Sequence, residues 1–149
     1  MPGRPWIPTT TKLDHMKAAG VTHVEAHDTD ILDLEMGPNG ANGYPVGMSE
    51  REKMGLLRRA AAKFAEELEK RGLKPGMFTM NLFSSDPLFI FGNLGSQNEK
   101  TRALAMNRMK VGMEIAQEVL FCIYVYWNGT NGVDGVISAN HMLRNELTY

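Results

Sequence analysis

Twice along this 149-residue chain a serine-capped amphipathic helix gives way to a short run of β-branched and aromatic residues. That repeated order limits the possible folds more than any other feature. In the first unit Ser49, with Glu52 three positions on, forms a capping box. Leu57, Ala61, Phe64 and Leu68 then recur at 4-3-4 spacing and share one helical face. Gly72 ends this helix, Lys74-Pro75-Gly76 turns the chain, and residues 77–83 read as a strand. The second unit repeats the pattern after a loop at 84–95. Ser96 and Glu99 form the capping box, and a helix runs to about Val119 with Leu104, Met109, Met113 and Ala116 on its apolar face. Residues 121–127 then form a strand. A shorter unit precedes both: a helix at 12–19 stopped by Gly20, and a strand at 21–27 whose polar tail is Asp28-Thr29-Asp30. Residues 36–48, rich in glycine and proline, read as an irregular loop, and a weak helical stub begins after Val133.

Strands alternating with long helices imply a parallel sheet joined by helical crossovers. In such sheets chemistry gathers where strands end and loops begin. The polar residues lie there: His27-Asp28-Thr29-Asp30, Thr79 to Asn81, and Trp127-Asn128. Length suits one domain, residues 1–149, with a modest core. Sixteen basic and seventeen acidic residues leave a net charge of −1, which offers no footprint for nucleic acid or an anionic membrane surface. No apolar run approaches the roughly 20 residues of a bilayer span, and the first twelve residues lack a signal-peptide core. The expected compartment is therefore cytoplasmic. Cys122, the lone cysteine, lies in an apolar run and reads as an inert buried thiol.

Three strand-end segments carry a family resemblance: HDTDI at 27–31, TMNLFSSDP at 79–87 and YWNGTNG at 126–132. In this order, separated by helices of fitting length, they resemble the motifs of xylose isomerases. The resemblance covers about residues 12 to 132. It implies a partial (β/α) TIM-barrel-like unit of about three parallel strands with flanking helices. It also implies an aldose–ketose isomerase converting D-xylose to D-xylulose. His27 matches the family's ring-opening histidine and Asp30 the carboxylate that orients it. A carboxylate on one ring nitrogen fixes the tautomer and leaves the other for substrate, which suits this role. Thr79 matches a substrate-supporting threonine, and Phe83 and Trp127 match aromatics that wall the sugar pocket.

The chain also departs from the family pattern. Asn128 stands where the family has glycine, and Thr130-Asn131 replaces an arginine–glutamate pair. Leu120-Phe121 occupies a turn where the family tends to place glycine. Losing a glycine cap costs up to about 1 kcal/mol and adds apolar surface that needs cover. The resemblance implies a divalent cofactor (Mg, Mn or Co), but the family's ligands fall on strands after the tryptophan motif, beyond Tyr149. His23, Glu25 and His27 alternate along one strand and are the candidate metal donors within the chain. Three strands cannot close an eight-stranded barrel, so homo-oligomers covering the exposed sheet edges are expected. Two further readings stand beside the isomerase: a non-catalytic remnant with weak sugar binding at most, and a metal-binding module built on His23, Glu25 and His27.

Overall fold

Two of the helices end in the same way, on a glycine that only a left-handed turn requires. The computed structural model describes residues 6–82, 87–89 and 92–126. Helix α1 (Thr9–Ala18) stops at Gly20, φ 81°, whose N–H donates to the Lys17 carbonyl while Val21 N–H reaches Met16 O at 3.0 Å. Helix α3 (Glu50–Lys70) stops at Gly72, φ 63°, with Leu73 N–H on Leu68 O at 2.9 Å. Both are Schellman closures, which turn the chain sharply toward the following strand.

Those strands are β1 (His23–His27) and β2 (Lys74–Thr79), with β3 (Ile123–Val125) completing a parallel sheet of order β1-β2-β3. Parallel strands separated by helices make an α/β arrangement that fits a partial TIM-barrel-like unit. β2 begins earlier than the sequence suggests, because Pro75 and Gly76 lie within it rather than in a turn. The turn is already made at Gly72. Opposite them the register slips: Val24 pairs with Pro75 and Glu25 with Met77, so Gly76 is the extra residue of a bulge. A bulge is where a strand tolerates proline.

The chain divides into two compact units, Met1–Thr79 with Val111–Val125 and Met80–Lys110 with Tyr126–Tyr149. The first holds the whole sheet. Its core comprises the α3 stripe Leu57, Ala61, Phe64 and Leu68 together with Val24, Ala26 and Phe78. Ser49 caps α3 as the capping box predicts: its hydroxyl accepts from Glu52 N–H, and the Glu52 carboxylate accepts from Ser49 N–H at 2.9 Å. Helix α3 is also tied outward by ion pairs. Arg71 holds Asp14 of α1, Arg58 grips Glu114 with two bonds of 2.8 and 2.7 Å, and Arg59 and Lys63 share Glu35 of the short helix α2 (Asp33–Met36). Hydrogen bonds from Lys63 and then Arg59 hold the Glu35 carboxyl below its usual range, and Arg58 does the same for Glu114.

Helix α4 (Glu99–Glu114) differs from the sequence reading in two respects. Its cap is Asn98, not Ser96: the Asn98 side chain accepts from Lys100 N–H at 2.9 Å and Thr101 N–H at 3.4 Å. Ala105 and Arg108 are buried on this helix and Met113 is exposed, while Ala116, buried as expected, lies just beyond its end. In the second unit Arg108 is buried with its guanidinium 5.1 Å above the Phe89 ring, a use of arginine that hydropathy cannot anticipate.

The last turns widen into a π turn (Ile115–Leu120), and Phe121 follows at φ 52°, ψ 47° with 82% of its surface exposed. This is the missing-glycine turn the sequence points to. A non-glycine residue there costs about 1–2 kcal/mol, part of which returns through glycine's larger unfolded-state entropy. Phe121→Gly is expected to raise unfolding stability by about 0.5–1 kcal/mol in urea denaturation, with an unchanged m-value.

Candidate functional site

The burial alternation of β1 leads directly to the site. His23, Glu25 and His27 lie on the exposed face, and Val24 and Ala26 in the core. His27 is the last strand residue, and Asp28–Asp30 forms a single 3-10 turn. Within that turn the Asp30 carboxylate folds back: Oδ2 accepts from His27 N–H at 3.0 Å and lies 3.3 Å from Nδ1 of the imidazole. The roles follow the tautomer: protonated on Nδ1, the ring donates to the Asp30 carboxylate and keeps Nε2 basic, whereas protonated on Nε2 it faces the Asp30 backbone N–H as an acceptor. The two side chains are 46% and 55% exposed, within reach of a dissolved substrate.

Thr79 ends β2 directly opposite His27 in the register and shares its face of the sheet, next to Val125 of β3. Its side chain is nearly buried, at 8% exposure. Three residues singled out in the sequence, His27, Asp30 and Thr79, are thus brought together at the carboxyl ends of adjacent parallel strands. Phe83 and Trp127 lie outside the described residues.

Three neighbouring side chains without a role in the sequence reading, Asp28, Tyr44 and Thr9, belong to the same structure. Asp28 is fully buried, and its Oδ2 accepts the Tyr44 hydroxyl at 2.8 Å. The signal for Asp28 was available: continuing the in–out alternation of β1 by one residue turns position 28 inward. On the other side Thr9 Oγ1 donates to the Asp30 carbonyl at 2.7 Å, so the start of α1 also holds the turn. A cavity of about 210 Å³ lies among Leu13, Met16, Val24, Ile31 and Phe64, with Asp30 in its wall. Neither His27 nor Thr79 lines it, and its size and apolar lining suit a sugar poorly.

Although His23, Glu25 and His27 share a face, no group of three or more His, Cys, Asp or Glu side chains comes together to hold a metal among the described residues. His23 instead places Nδ1 3.0 Å from Thr22 Oγ1. The divalent metal implied by the resemblance therefore finds no ligand set in this part of the chain. No helix among the described residues is long and apolar enough to cross a membrane.

Fold and site together define an α/β strand-end site with an imidazole–carboxylate pair on a parallel sheet. Over 123 residues, 83% of its length, the chain is 32% identical to the xylose isomerase of Thermus thermophilus. Over 115 residues, 77% of its length, it is 33% identical to the xylose isomerase of Thermus caldophilus. These matches cover 27% and 25% of the relatives, so the chain spans about a quarter of the curated relatives it matches. No family model matches. The chain is a distant, partial relative of xylose isomerases.

Proposed function

We propose that the chain performs the sugar-opening chemistry of an aldose–ketose isomerase of the xylose isomerase type, with D-xylose as substrate and D-xylulose as product. The observation that carries this reading is the Asp30 carboxylate held against both the amide and the ring of His27 at an exposed strand end. In that arrangement Nε2 takes the proton of the anomeric hydroxyl and the resulting imidazolium returns one to the ring oxygen. The C–O bond of the ring breaks as the aldehyde forms. Asp30 keeps the imidazole oriented and offsets its charge while it holds the proton. Thr79, beside His27 in the register, supplies a hydroxyl to the sugar, and the family resemblance gives Phe83 and Trp127 the part of pocket aromatics. The later shift of hydrogen between C1 and C2 is not assigned to any described residue. The test is conversion of D-xylose followed with and without added Mg, Mn or Co; absence of product from purified protein under every one of these conditions favours the non-catalytic remnant.

The same reading includes self-association. Among the described residues β1 and β3 each pair only with β2, and Phe121 and Ile123 are exposed beside the β3 edge. Unpaired edges and exposed apolar side chains promote association. Light scattering is expected to give a mass above that of one chain, and a monomer that binds no apolar dye contradicts this.

A further inference from the structure

The loop after α2 is pinned to the turn that follows His27. It begins with a 3-10 segment (Gly37–Asn42), and Gly43, at φ 81°, stands over the turn, its missing Cβ 4.0 Å from Thr29 Cγ2. Tyr44 comes next and places its hydroxyl 2.8 Å from Asp28 Oδ2. Its ring lies beneath Lys53 of α3, with Nζ 5.9 Å from the centroid, and Lys53 is itself paired with Glu50 at 3.0 Å. The buried end of the Asp28–Asp30 turn is therefore held by a residue sixteen positions away, while the exposed end carries the carboxylate that fixes His27.

A buried carboxylate is strongly oriented by a hydroxyl donor. Fixing Asp28 fixes the turn's backbone, and three residues of 3-10 turn leave Asp30 little freedom of its own. We propose that Tyr44 is a positioning residue: through Asp28 it holds Asp30 against His27 and so sets the imidazole's tautomer. This role rests on reading His27 as the ring-opening base, but it concerns a property of the protein that is measurable without turnover.

The experiment is a long-range proton–nitrogen NMR spectrum of the four histidines, assigned by substitution, in wild type, Tyr44→Phe and Asp28→Asn. Wild type is expected to show His27 protonated on Nδ1. Tyr44→Phe keeps the ring under Lys53 but removes the donor. Its His27 signals are expected to move to averaged tautomer positions, and the His27 amide, which donates to Asp30, to exchange roughly tenfold faster. His23 serves as the unmoved control. Asp28→Asn retains an oxygen for the Tyr44 hydroxyl and is expected to keep the wild-type tautomer; it also supplies the test should Tyr44→Phe not fold. Unchanged His27 signals in Tyr44→Phe, or averaged ones in Asp28→Asn, overturn the proposal. If wild type turns over xylose yet Tyr44→Phe leaves His27 unmoved, the isomerase reading stands and the positioning role fails. If the tautomer moves but no variant or wild type turns over sugar, the reverse holds.

Discussion

His27→Ala is expected to lower conversion of D-xylose to D-xylulose by at least about 100-fold, the low end of what a positioned general acid–base contributes. The step at stake is ring opening, since cyclic xylose holds C1 as a hemiacetal that cannot accept hydride from C2 until the ring C–O bond breaks and the aldehyde is exposed. Alanine removes the imidazole at the end of β1 and, among the described residues, leaves the Asp30 carboxylate on the residue-27 amide. Asp30→Ala keeps the base but releases its tautomer, so a smaller loss of roughly tenfold is expected. The chemistry supplies its own control. D-glyceraldehyde, with three carbons, cannot close a ring, and turnover of that aldose should be nearly indifferent to His27→Ala. Equal losses on both sugars would mean that His27 acts elsewhere in the reaction or only supports the fold. Measuring rates on the two substrates side by side, with purified wild type and both variants, separates these outcomes.

How much of this could be read beforehand differs from element to element. Helix α3 was legible at both ends and along its stripe, because its capping box, its 4-3-4 repeat and Gly72 are local signals that agree with one another. The neighbouring placement of His27 and Thr79 was legible, because alternating helices and parallel strands set these strand ends side by side. β2 was less so. Proline and glycine argue for a turn, and only the neighbouring strand's slipped register shows them to be a bulge. The inward face of the α4 segment was read only in part, with Ala116 buried but Met113 exposed, because methionine outranks arginine in hydropathy although a guanidinium over an aromatic ring buries well. The irregular reading of residues 36–48 missed a 3-10 segment, and no local signal pointed to the short helix α2 that precedes it. Tyr44 on Asp28 lies beyond any local rule, being a contact across sixteen positions that depends on how the loop folds back.

That folding back depends on one glycine, and two glycines of the first unit are expected to respond to alanine with opposite signs. Gly40 is buried in the 3-10 segment, and a Cβ there would sit 2.5 Å from the Leu32 carbonyl carbon and 2.6 Å from Asp33 Cα, both backbone atoms. No rotamer relieves such an overlap, so the segment must move off α2 or α2 must move off α3. Overpacking of this kind costs about 3 kcal/mol. For a chain of this size that corresponds to a fall in Tm of roughly 10 °C. Gly55 lies within α3, where the nearest atom to an added Cβ is the Arg59 Nη1 at 3.8 Å, an ordinary contact. Gly55→Ala therefore removes only the entropic cost of glycine in a helix and is expected to stabilise by about 1 kcal/mol. Urea unfolding of the two variants reads both signs. Because Gly40 stands between α2 and Tyr44, its replacement is also expected to loosen the Tyr44–Asp28 bond and reproduce the His27 signals of Tyr44→Phe. A Gly40→Ala protein as stable as wild type would show that the close approach of these backbones is not required by the fold.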